Sequence, residues 1–144
     1  MLADDRLLLS VLLGRAPDEL RSAHREGDLY TTGLWYYRLC HASRSARVTG
    51  ALSGPLASAP EPARTEAVAA LTALPDTVGM LSFRGLAPEM AELVERHRLN
   101  LLSLEAIAAA LSLASVIRLA AGNDNPAVMS AAEAEGIDCR LLDP

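Results

Sequence analysis

The sequence predicts an α/β domain, a three-layer α/β/α arrangement around a central, mostly parallel sheet of four to five strands. Short apolar, β-prone segments alternate with longer segments of helical periodicity, which places parallel strands between covering helices. Gly and Pro punctuation separates the segments. The 144 residues are 51% hydrophobic, enough for a full core, and a domain of this size buries about two-thirds of its unfolded surface. A single domain over residues 1–144 is expected.

The elements read as follows. Leu2 and Ala3 end a short strand, and Asp4 or Asp5 caps a helix that Gly14 ends. Pro17-Asp18-Glu19 starts a second helix, with the proline early and acids in the first turn, and Gly27 stops it. Asp28 to Thr31 is β-prone. Thr31 or Thr32 caps a helix holding Leu34, Trp35, Tyr36, Tyr37, Leu39 and Cys40. Ser53-Gly54-Pro55 breaks the pattern, and Ala57 to Pro62 reads as a loop. Glu61 to Leu74 is helical, with Val68 and Leu71 on one face. Val78 to Phe83 reads as a buried strand. Pro88-Glu89 opens a helix with Met90, Leu93 and Val94 facing inward. Ser103 caps a helix from Leu104 to about Leu113. Val116 to Ala121 is a strand. Residues 122–126 turn into a helix from Ala127 to Glu135, and Ile137 to Leu142 is the last strand.

Composition narrows the function. No apolar run approaches the roughly 20 residues of a membrane span, and the acids Asp4 and Asp5 leave no signal-peptide pattern. A cytoplasmic protein with no membrane role is expected. Cys40 and Cys139 lack the spacing of a zinc site or disulfide framework and read as small buried residues. The net charge of −5 argues against general coating of nucleic acid but leaves room for a local basic strip. All 13 basic residues are arginine, which suits planar partners such as phosphate; a coding bias explains the same usage.

Open parallel sheets bind ligands at the carboxyl ends of their strands, where Asp4, Asp5 and Asp124 fall. Glu105 sits near the start of an otherwise apolar helix, and a lone buried carboxylate is costly. Taken singly, each acid reads as a cap or turn residue. Their joint placement at one sheet edge is what points to chemistry.

With these residues in place the chain resembles a PIN domain, the metal-dependent ribonuclease fold of many bacterial toxins. The likeness lies in Leu2-Ala3-Asp4-Asp5-Arg6-Leu7-Leu8, in Leu101-Leu102-Ser103-Leu104-Glu105-Ala106 before Ala109-Ala110-Leu111, and in Ile117-Arg118-Leu119-Ala120-Ala121-Gly122-Asn123-Asp124-Asn125-Pro126. The resemblance implies that Asp4, Glu105 and Asp124, helped by Asp5, hold Mg²⁺ or Mn²⁺ and activate a water to cut RNA. It also implies a homodimer, and an antitoxin or other protein partner.

The chain departs from the family pattern at three positions. Arg38 or Tyr37 stands where the family has its second acid, Glu105 replaces an Asp, and Gly122 replaces a Thr. A guanidinium among carboxylates neutralises them but cannot act as a Lewis acid, and it repels a divalent ion. The acidic site is therefore expected to be eroded. Two readings remain at this stage: a ribonuclease, or a PIN-like domain without catalysis and without a cofactor that binds RNA or a protein. The partner of Arg38 discriminates them. Pairing with Asp4, Glu105 or Asp124 favours the second; an outward Arg38 and converging acids favour the first.

Tyr30, Trp35, Tyr36 and Tyr37 are four of the five aromatic residues. The three consecutive rings cannot all face one core, so some serve a dimer contact or stack on RNA bases, with Trp35 the candidate for stacking. Arg38, His41, Arg44 or Ser45, and Arg47 or Val48 recur at about every third residue. They form either a phosphate-facing stripe or a solvated face, with Arg38 and Arg44 the candidate RNA contacts. None of the three histidines has the paired spacing of a ligand or base.

Overall fold

All the β-prone segments become strands of one sheet. In the computed structural model, which describes residues 1–44 and 52–144, these are β1 (Leu2–Ala3), β2 (Leu29–Thr31), β3 (Val78–Met80), β4 (Ile117–Ala120) and β5 (Cys139–Leu142). They form a five-stranded sheet in the order β3-β2-β1-β4-β5, and every pairing is parallel. The helices are α1 (Asp5–Leu12), α2 (Asp18–Glu26), α3 (Gly33–Arg44), α4 (Ser53–Ser58), α5 (Glu61–Thr72), α6 (Phe83–Arg96), α7 (Leu101–Leu113) and α8 (Pro126–Ala134). Among the described residues, no helix is long and apolar enough to cross a membrane.

Side chains alternate across a strand, and the two cores follow that period. Ala3 and Ala120 join a cluster with Leu7, Leu8, Leu20 and Leu71 from the α1, α2 and α5 side. Leu2, Ile117 and Leu119 join Leu93, Ile107 and Val128 from the α6, α7 and α8 side. Helix α3 spans both, giving Leu39 to the first cluster and Trp35 to the second.

Several expectations are corrected. The segment around Ser53-Gly54-Pro55 forms α4; Pro55 lies in the first turn, where a backbone N–H has no intrahelical partner. Strand β3 stops at Met80, and α6 starts at Phe83, ahead of Pro88. The missing bond at Pro88 is outweighed by Leu86, Met90 and Leu93, which bury one continuous face. Val94 lies about 100° around the helix from Leu93 and is exposed; Val68 is likewise a step from buried Ala67 and Leu71. Helix α7 starts at Leu101 because Asn100, not Ser103, caps it by accepting the Ser103 N–H at 2.9 Å. The two cysteines are free and only partly buried.

Arg118 faces the α1–α2 side between inward-facing Ile117 and Leu119, and is 6% exposed. Its Nε donates to Glu19 Oε1 at 2.9 Å and its Nη1 to Asp138 Oδ2 at 3.3 Å. Both acids are partly open to water, so they rehydrate when the cation is removed. Arg118→Met is expected to change stability by no more than about 1 kcal/mol, because a well-packed apolar side chain can replace a buried ion pair. Ile107→Ala is expected to lose about 2–5 kcal/mol through its cavity. Urea unfolding of the two variants measures the contrast.

Candidate functional site

The chain leaves β1 toward β2 and β3 on one side and reaches β4 and β5 on the other. The crevice between the carboxyl ends of β1 and β4 is therefore the switch point at which such sheets bind ligands. Asp4 follows β1 there, and Asn123 follows β4.

Asp4 is fully buried, and its carboxylate ties three elements together. Oδ1 accepts the Leu7 N–H at 2.9 Å and so caps α1. Oδ2 accepts the Ala120 N–H at 2.9 Å and the Asn123 side-chain amide at 2.8 Å. The crevice is thus bridged by protein groups on both sides.

Glu105 is buried as well, at 1% exposure. It lies beyond the first turn of its own helix and caps a different one. Oε1 accepts the Gly33 N–H at 3.1 Å and Oε2 the Leu34 N–H at 2.8 Å. Thr32 Oγ1 takes the next donor, the Trp35 N–H, at 3.1 Å. The charge is stabilised by the N–H groups and dipole of the α3 N-terminus. A methyl group at Gly33 would stand 3.1 Å from Glu105 Oε1, so this approach leaves little room for a side chain.

Asp124 is exposed in the turn before α8, where its Oδ1 accepts the Gly122 N–H at 3.2 Å. Gly122 has φ +75, a left-handed conformation that a β-branched Thr resists. Asn125 caps α8 by accepting the Val128 N–H at 3.2 Å, and its amide donates to Ser103 Oγ at 3.3 Å.

Arg38 pairs with none of Asp4, Glu105 and Asp124, so the contact expected to mark the non-catalytic reading is not the one formed. Its Nε lies 3.1 Å from Asp5 Oδ2, at a fully buried carboxylate. The distance gives Coulomb attraction, but the N–H is not aimed at the oxygen, and neither Asp5 oxygen has a hydrogen bond. Burial pushes the Asp5 pKa up to about 6; Arg38 opposes the shift and the neighbouring Asp4 adds to it. Trp35 is buried at 2% exposure and cannot offer a stacking face, whereas Tyr37 is 63% exposed. His41 and Arg44 are exposed beside it, with the Tyr37 and His41 rings 6.2 Å apart. The Ser45, Arg47 and Val48 part of the expected stripe lies outside the described residues.

Trp35, Arg38, Leu119, Asn123, Asp124 and Asn125 line a cavity of about 120 Å³. That holds a few waters or the edge of a larger group, and is well below the roughly 300 Å³ of a small-molecule site.

The donor set does not fit a divalent ion. Both oxygens of Asp4 and both of Glu105 accept N–H groups, and a guanidinium already lies against Asp5. Among the described residues, no three His, Cys, Asp or Glu side chains are grouped to hold a metal. The sequence placed Asp4, Asp5 and Asp124 at the strand ends correctly, but their partners were invisible in it. It missed Asn123, whose only signal was the Asn-Asp-Asn run after a strand.

Comparison of the chain with family models, with curated proteins and with solved structures returns no match.

Two outcomes are expected. A raised carboxyl pKa means that ionising Asp5 costs the folded state more than the unfolded one. Its penalty is nil below about pH 4, grows as pH rises toward 6, and then levels at on the order of 3 kcal/mol. Asp5→Asn should therefore stabilise the protein at pH 8 and leave it unchanged at pH 3.5, as urea midpoints at the two values would show. Glu105→Gln turns one acceptor into a donor facing an N–H. It should cost about 1–3 kcal/mol at neutral pH, and an unchanged midpoint would remove Glu105 from its capping role.

Proposed function

We propose that this chain is a PIN-like domain without catalysis that binds single-stranded RNA along the exposed face of α3. The single observation that carries the reading is the Arg38–Asp5 pair: a fixed cation sits against the one rim carboxylate that accepts no hydrogen bond. The other buried acids are occupied as caps and strand ties. The guanidinium thereby offsets part of the negative charge at the rim.

Exposed Tyr37, Arg38, His41 and Arg44 supply what a strand of RNA needs. A ring that presents its face stacks a base for about 1–3 kcal/mol, and guanidinium groups contact phosphate. Arg38 is 43% exposed and donates no hydrogen bond among the described residues, which leaves its remaining N–H groups for a phosphate. With a net charge of −5, binding would be local and strongly salt-dependent.

The test joins cleavage and binding. With Mg²⁺ or Mn²⁺ titrated in, labelled RNA should stay intact with the protein and with Asp124→Ala alike. Fluorescence anisotropy should show binding, with Arg38→Ala and Arg44→Ala each lowering the salt slope by roughly 0.7. Tyr37→Ala should weaken affinity about tenfold or more. Metal-dependent cleavage that Asp124→Ala abolishes would restore the ribonuclease reading. Binding indifferent to all three α3 changes, or no binding at all, would dismiss the RNA strip and leave a protein partner, such as an antitoxin, as the ligand.

A further inference from the structure

Helix α1 turns one of its faces toward a second cavity, of about 120 Å³, that the site described above does not use. Arg6, Leu9, Ser10 and Leu13 line it. Leu9, Ser10 and Leu13 lie three, four and seven residues beyond Arg6, which puts all four on one side of the helix. Gly14 then takes a left-handed conformation, φ +68, and the Arg15 N–H returns to the Ser10 carbonyl at 2.8 Å. That turn brings Arg15 to the same cavity. Pro55 of α4 and Pro144, beyond β5, complete the lining.

Two cations share this cavity and neither has a counterion. Arg6 Nη1 donates to the Ala121 carbonyl at 3.1 Å, which fixes the guanidinium near the carboxyl end of β4, where open parallel sheets take their ligands. Arg15 is exposed, and its side chain donates no hydrogen bond among the described residues. Neither arginine forms an ion pair among the described residues, and the main-chain carboxylate of Pro144 is among the groups left unpaired. Residues 45–51 contain no acid. Like charges beside one small apolar cavity repel each other, and an anion placed there relieves the repulsion.

We propose that this cavity binds a small organic carboxylate, its charged end facing Arg6 and Arg15 and its carbons against Leu9, Leu13 and Pro55. The donors select the anion. Ser10 Oγ already gives its proton to the Leu7 carbonyl at 2.7 Å, so among the lining side chains only the two guanidiniums have protons to offer. Their planar fork matches the two oxygens of a carboxylate. A phosphate brings further oxygens for which no lining side chain supplies a donor. The floor selects an apolar body: Leu9 and Leu13 are almost wholly buried beneath it. The volume is close to the ~150 Å³ that accommodates a benzene-sized group, which limits that body to a few carbons. This inference is independent of whether α3 binds RNA.

Nuclear magnetic resonance titration of the full chain with butyrate tests it. The methyl resonances of Leu9 and Leu13 should shift together, with a Kd on the order of 1 mM, as about six heavy atoms allow. Acetate, which lacks most of the apolar body, should bind about tenfold more weakly. Neutral butyramide and inorganic phosphate should each also bind about tenfold more weakly than butyrate. Arg15→Gln removes an exposed side chain without a partner, so it should leave the far-UV circular dichroism unchanged and weaken butyrate about fivefold or more. Arg6→Gln should do the same to affinity. Leu9 and Leu13 resonances that stay still up to about 50 mM butyrate would overturn the proposal. So would butyramide or phosphate binding as tightly as butyrate, or butyrate binding that both arginine variants leave unchanged.

Discussion

The carboxylate of Asp4 is the point at which the sheet, the first helix and the turn after β4 are joined. Its position is forced by the brevity of β1: after two residues the chain turns into α1, and the side chain at the turn lands between β1 and β4. One oxygen replaces a missing helix bond and the other extends the strand ladder sideways to Ala120. A shorter or neutral side chain leaves at least one buried N–H without a partner, which costs more than the bond itself contributes. Helix α3 is held at the same rim by a second buried carboxylate, from Glu105. The two ends of the crevice are thus fixed by anions that backbone dipoles stabilise.

Asp5 differs from these two. It is as buried as Asp4 but has a guanidinium beside it where Asp4 has N–H donors; burial raises its proton affinity, and Arg38 opposes that rise only in part. Adjacent carboxylates in one sequence therefore reach different electrostatic states. Three donors satisfy the first, while a partly exposed guanidinium only partly compensates the second. The same guanidinium joins Tyr37, His41 and Arg44 on the outer side of α3, so a residue that settles charge inside the rim is also available outside it.

Much of the architecture was legible because each buried parallel strand is a short apolar run and each helix has its own period. Parallel order, the helix stops at Gly14 and Gly27, and the placement of the rim acids could be read directly. Boundaries failed where packing overruled local rules: α6 runs through Pro88 because its buried face continues, and α4 forms around Pro55 because the proline falls in the first turn. The roles of the acids were not legible. Glu105 looked like a cap for its own helix and caps one that begins 72 residues earlier. Whether a carboxylate meets a metal, a dipole or a cation depends on partners from distant segments, which spacing cannot reveal.

The central strand has a temporal consequence. Leu2 is made long before one of its two neighbours, Ile117, which lies 115 residues further along the chain. Until then β1 has one free edge, and the sheet exists only as its β1-β2-β3 portion. Contacts between such distant segments slow folding, so an early, waiting edge is captured by a strand that arrives much later. The crevice between β1 and β4 therefore cannot form until most of the domain has been made.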